Sequence, residues 1–146
     1  MSILKEAEWM RKAPISECWD RVKPGLYEIY DRVVAEQGVC EWRPEDIYHA
    51  CQSGWAELFH ADDWKAWVVV QVKPIPFSGG DKALLLWVAW CKKGRAAVRY
   101  MPFLRALASD YGCRRIEYWS SFKGMGRINE RHGFKPVITM YAVEVD

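Results

Sequence analysis

The chain has 146 residues, enough for one domain (1–146) with a real core, and its 51% apolar and 27% charged residues are ordinary globular values. A net charge of +2, with no basic stripe interleaved with aromatics, argues against nucleic acid and anionic membrane as partners. Neither an N-terminal apolar h-region nor an apolar span of about twenty residues is present, so the expectation is a cytoplasmic protein with no membrane anchor.

Residues Ile3 to Ala13 are predicted to hold a short edge strand, weakened by Glu6, Glu8, Arg11 and Lys12. Ser16 is placed as an N-cap, after which Trp19, Val22, Leu26, Ile29, Tyr30 and Val33 recur at helical spacing. Pro24-Gly25 interrupts that pattern and predicts a kinked helix or two short ones, ending at Gly38. Arg43-Pro44-Glu45-Asp46 is a helix start, with proline near the first position and acids in the first turn, and Gly54 closes that helix. A short strand at Ala56 to Phe59, a turn at Ala61-Asp62-Asp63 and a strong strand at Trp67 to Val72 follow. The continuous apolar character of the strong strand makes it central. Pro74 and Pro76 end it, and Ser78-Gly79-Gly80-Asp81 makes the next turn.

The segment from Ala83 to Gly112 carries the strongest functional signal. Ala83 to Cys91 is apolar at both parities, so a strand there is buried on both faces. The turn Lys92-Lys93-Gly94-Arg95-Ala96-Ala97 adds cations, a glycine and small residues. A helical pattern through Val98, Met101, Leu104 or Arg105, Leu107, Ala108 and Tyr111 then runs to Gly112, with Pro102 making its first turn irregular. Buried strand, basic glycine-containing turn and helix together form an anion-binding device, since free N–H groups at a helix N-terminus receive phosphate. A strand at Arg114 to Ser121, a short helix at Phe122 to His132 closed by Gly133, and a last strand at Val137 to Val145 complete the chain.

The cysteines Cys18, Cys40, Cys51, Cys91 and Cys113 are odd in number and form no C-x-x-C pair, which reads as reduced thiols used in packing. His49, His60 and His132 lack metal-ligand spacing; His49 and His60 read as surface or helix-end residues, and no metal site is expected. Most of the nine tryptophans should be core or cleft lining, with Trp87, Trp90 and Trp119 flanking the proposed cleft.

The element order, Lys92-Lys93-Gly94-Arg95-Ala96 after the buried strand, and Arg131-His132-Gly133-Phe134 before the last strand together resemble the GNAT superfamily of acyltransferases. The family's phosphate loop is written Gln/Arg-x-x-Gly-x-Gly/Ala. Gly94 and Ala96 match it, while Cys91 stands where Gln or Arg is usual. The chain also looks like small GNAT-like proteins of bacteriophages, through Trp19, Val22, Pro24 and Leu26, through Glu45, Asp46 and Ile47, and through Gly112-Cys113. The resemblance implies an α/β fold whose central mixed, mostly antiparallel sheet is flanked by about four helices. It implies acetyl-CoA as cofactor, with pantetheine beside Val88, Ala89 and Trp90 and pyrophosphate on Lys93, Gly94, Arg95, Ala96 and Ala97. An acceptor amine, on a small molecule or a protein, enters where this strand parts from the next and attacks the thioester directly.

Asn129 stands where family members place a tyrosine general acid, Phe122 replaces a frequent asparagine, and the closing hairpin is shortened. Glu117 is the candidate base acting through water, and Ser120, with Ser121, is a candidate to orient water or acceptor. Tyr118 is a candidate displaced acid set against core packing, and Glu57 a candidate for the acceptor side set against surface solvation. The resulting expectation is an acetyl-CoA-dependent N-acyltransferase lacking the tyrosine acid. The alternative is a catalytically degenerate module that binds a host or virion protein.

Overall fold

The computed structural model describes residues 9–92, 99–119, 133–137 and 140–145. Its elements are β1 (Arg11–Ala13), α1 (Ile15–Gln37), α2 (Pro44–Ser53), β2 (Glu57–His60), a 3-10 turn (Asp62–Trp64), β3 (Ala66–Pro74), β4 (Lys82–Cys91), α3 (Met101–Asp110) and β5 (Arg115–Tyr118). The two apolar runs dominate: β3 and β4 pair antiparallel along almost their whole length, from Ala66–Cys91 to Pro74–Lys82. The sheet order is β1-β2-β3-β4-β5, antiparallel up to β4 and parallel between β4 and β5. This is the mixed, mostly antiparallel sheet expected, with three α-helices among the described residues.

Alternation along the strands feeds two cores. On one face Val68, Val70, Leu84 and Leu86 pack with Phe103, Leu104 and Leu107 of α3. On the other, Trp67, Val69 and Val88 pack with Val22 and Leu26 of α1 and Ile47 of α2. Both central strands are therefore covered on both sides, as their apolar character at both parities requires.

Three predicted details are corrected. Ser16 is not the cap of α1: Pro14 holds the extended N-cap position and the helix is already under way at Ile15. Pro24-Gly25 does not divide α1 either; the non-helical residue is Cys18, at φ −134° and ψ 19°. Gly25 has a packing role instead, because a Cβ there would lie 3.0 Å from Trp67 Cζ2 and 3.0 Å from Trp90 Cγ. The helix crosses the sheet closely enough that only a hydrogen fits. Pro102 falls in the first turn of α3, where a missing N–H breaks no helical bond, and the irregularity expected there lies just ahead of it: Arg99 is helical, Tyr100 is not (φ −107°, ψ 16°), and α3 begins at Met101.

The third correction is the last strand. Residues 137 and 140–145 have no strand conformation, and Val137, Met140, Tyr141, Val143 and Val145 are 64–90% exposed. Their alternation satisfies the pattern of a strand, but among the described residues no neighbouring strand supplies a ladder and no layer covers an apolar face. The predicted helix at 122–132 and the end of the strand at Ser120 and Ser121 lie outside the described residues. No described helix is long and apolar enough to cross a membrane.

Candidate functional site

The site is organised by where β5 stops. Its parallel register with β4 runs Ala83–Arg115, Leu84–Ile116, Leu85–Glu117 and Leu86–Tyr118, and then ends. At the next residue β4 bulges: Val70 faces Leu86 and Val69 faces Val88, leaving Trp87 as the extra residue. A bulge strengthens twist and re-aims the strand, so the register break falls where β4 loses β5. Beyond it, Val88, Ala89 and Trp90 continue to pair with β3 on one side, while no described strand runs along their other side.

This second half of β4 is packed from the α1 side. Trp90 stacks near-parallel on Trp67 with ring centroids 6.4 Å apart, and its indole N–H donates to Glu28 of α1 at 3.1 Å. Gly25 lets α1 press on both rings. Val88 is buried under the same helices, whereas Ala89 is exposed although it lies in a central strand. Alignment with β3 extends into the turn, because Lys92 N–H donates to the Lys65 carbonyl at 2.9 Å. The remaining predicted phosphate-loop residues, Lys93, Gly94, Arg95, Ala96 and Ala97, lie outside the described residues, as do Ser120 and Asn129.

Glu117 is placed in β5 opposite Leu85, within the closed half of β4. Lys73 Nζ lies 2.9 Å from one carboxylate oxygen and Arg115 Nη2 2.6 Å from the other, and the Glu117 side chain is 14% exposed. Burial works to raise its pKa, but hydrogen bonds from Lys73 and Arg115 outweigh burial and hold it below the ordinary value. Tyr118 packs edge-on against Phe134 at 5.0 Å on the α3 face, and burial raises its hydroxyl above the usual range. Glu57 accepts a hydrogen bond from Tyr111 at 2.8 Å and pairs with Lys12 at 2.9 Å. Tyr111 itself is pushed up to about 12, by burial first and by Glu57 second.

Cys91 is half-buried against the α3-side core, and the described cysteines are all free thiols. Burial pushes Cys51 up to about 12, leaving it a poor nucleophile at neutral pH. Among the described residues no cluster of His, Cys, Asp and Glu is suited to a metal.

Two grooves open beside α2. The larger, of about 490 Å³, is lined by His49, Gln52, Ser53, Trp55, Gln71 and Trp87, among others. The smaller, of about 370 Å³, shares His49 and adds Trp19, Tyr48, Glu17, Asp20 and Glu45. Trp87 joins the larger groove to the bulge of β4. Trp55 and Gln71 had no motif to mark them; the turn after α2 and the pairing of β3 with β4 bring them together. His49, read from sequence as a surface or helix-end residue, is exposed on α2 and lines both grooves.

No family model matches the sequence, and no curated protein matches it significantly. Solved structures do match in fold. A probable acetyltransferase superposes with a TM-score of 0.69 at 12% identity, covering 94% of this chain and 98% of its own. A ribosomal-protein-alanine N-acetyltransferase from Brucella melitensis biovar Abortus 2308 gives 0.64 at 13%, covering 93% and 99%. An aminoglycoside N-acetyltransferase in complex with CoA gives 0.60 at 13%, covering 93% and 99%. The chain therefore has the α/β fold of these acetyltransferases over nearly its full length.

Proposed function

We propose that this protein is an acetyl-CoA-dependent N-acyltransferase that passes an acetyl group directly to an amine. The observation that carries this reading is the second half of β4, a central strand with its far side clear of any described strand and a small side chain, Ala89, left exposed. An extended pantetheine arm needs such an edge, and the matching fold of a CoA complex supports the assignment.

The residues present fit the cofactor. Val88, Ala89 and Trp90 offer main-chain groups on a strand stiffened by Trp67 and α1. By the sequence of the turn, Lys92, Lys93 and Arg95 would supply cations for the phosphates, and Gly94, Ala96 and Ala97 would add little side-chain bulk beside them. The bound thioester supplies the activated acyl carbon. The larger groove admits the amine at Trp87, and alignment of the two reactants accounts for much of the rate.

In this reading Glu117 is a strut tying β5 to β3 rather than a base: both of its oxygens are held by cations. Asn129, in the place of a tyrosine acid, leaves the thiolate to be protonated by solvent. Proton transfer by a side chain contributes about 10²–10⁴-fold, so its loss slows transfer without forbidding it. That same asparagine favours a second reading, a phage-type accessory module that binds a cytoplasmic host or virion protein without turnover.

Thermal unfolding with and without acetyl-CoA, and with CoA alone, tests the cofactor. Ligand at about 100 times its Kd adds roughly 2.7 kcal/mol, a rise of several degrees in Tm for a chain of this length. Gly94→Glu should abolish that rise while leaving the unliganded Tm unchanged. No rise at millimolar ligand would move the assignment to the binding module.

A further inference from the structure

We infer that the acceptor is an arylalkylamine, a primary amine on a short chain from a flat, uncharged ring, seated in the groove between Trp55 and Trp87. This rests on the acyltransferase reading for its chemistry and on the groove for its specificity.

The walls set the class. Trp55 is 73% exposed, although it follows directly on the Gly54 cap of α2 and stands on the wall of a concavity. Trp87 faces the same space from the bulge of β4. Two indoles on one groove offer stacking faces to a planar body. The polar groups between them are the amides of Gln52 and Gln71, the Ser53 hydroxyl and the His49 imidazole. Among the described residues this groove is lined by no carboxylate that would neutralise a second or third cation. Polyamines and amino sugars carry several.

The carboxylates Glu17, Asp20 and Glu45 lie in the neighbouring groove, on the far side of His49. Trp87 marks the end of the β4–β5 register, so a ring lying against it sits at the boundary of the open half of β4.

Steady-state acetyl transfer should be compared for 2-phenylethylamine, tryptamine, spermidine and kanamycin, with isothermal titration of 2-phenylethylamine into the free protein. The aryl amines should give the highest kcat/KM. Trp55→Ala should raise their KM about threefold to tenfold, the usual worth of one aromatic contact. It should leave the Tm and the CoA-induced rise unchanged, since Trp55 stands clear of the core. Preference for spermidine or kanamycin would overturn the inference, as would an aryl KM indifferent to Trp55→Ala. If CoA gives no rise in Tm, the transferase reading fails by itself. The groove is then judged by titration alone: 2-phenylethylamine binding that Trp55→Ala weakens sustains it, and absence of binding overturns it.

Discussion

The two halves of β4 have similar composition and opposite surroundings. From Ala83 to Leu86 the strand is paired on both sides, by β3 and β5, and buried on both faces. From Trp87 to Cys91 β3 is its partner among the described residues; Ala89 is exposed, and Trp87 and Trp90 are half-buried against the α1 and α2 side. The first half is spent on stability. Among the described residues the second is packed from one face and paired along one edge, which is what the proposed binding edge requires.

Paired substitutions break or sustain that contrast most sharply. Leu84→Ala removes a fully buried side chain from the closed half and should cost about 2–5 kcal/mol. At roughly 2–4 °C per kcal/mol, calorimetry would show a large fall in Tm. Ala89→Glu, one bulge further on, should move unliganded stability by no more than about 0.5 kcal/mol yet remove the stabilisation by CoA. Equal effects of the two on Tm would erase the distinction between the halves.

Gly25→Ala sharpens it from the other direction. In the middle of an exposed helix this change would stabilise by up to about 1 kcal/mol. Here the new Cβ meets Trp67, which is fully buried, and Trp90, which is held by Glu28. Overpacking should make the change destabilising by about 1–3 kcal/mol in denaturant titration. A stabilised variant would mean that α1 yields easily and that the open half of β4 is not held stiff.

This glycine also shows where sequence reading stops. A Pro-Gly pair inside a helical pattern signals a break, because propensity is local information. Clearance for two indoles depends on how closely a helix crosses a sheet, and no residue near Gly25 in sequence records it. The apolar run at 83–91 was legible because burial on both faces leaves no polar parity. The bulge at Trp87 was not, since one unpaired residue among apolar ones looks like the rest. The groove was illegible for a similar reason: Trp55 and Gln71 lie in separate elements and meet only through the fold. The strand predicted at 137–145 illustrates the converse: its described residues, 137 and 140–145, alternate in sequence but have no strand partner among the described residues.

Glu117 gives the mildest test, and one whose sign is fixed by electrostatics. As a strut in the closed half, its carboxylate contributes stability through Lys73 and Arg115. Because the folded state holds its pKa below the ordinary 4.5, that contribution is complete above about pH 4.5 and is lost as pH falls through the folded value. Glu117→Gln should therefore cost about 1–3 kcal/mol at pH 7, the range for a hydrogen-bonded charge that is mostly buried. The gap to the unaltered protein should close progressively in acid, as the unaltered carboxylate takes up its proton. Turnover per folded molecule should persist at pH 7, since the strut lies on the paired side of the bulge. A base would behave differently, with kcat falling about 10²-fold or more and stability little changed. Urea titrations at several pH values, run beside the amine assay, separate the two: a kcat collapse with unaltered stability would move Glu117 from a strut beside the closed half of β4 into the chemistry.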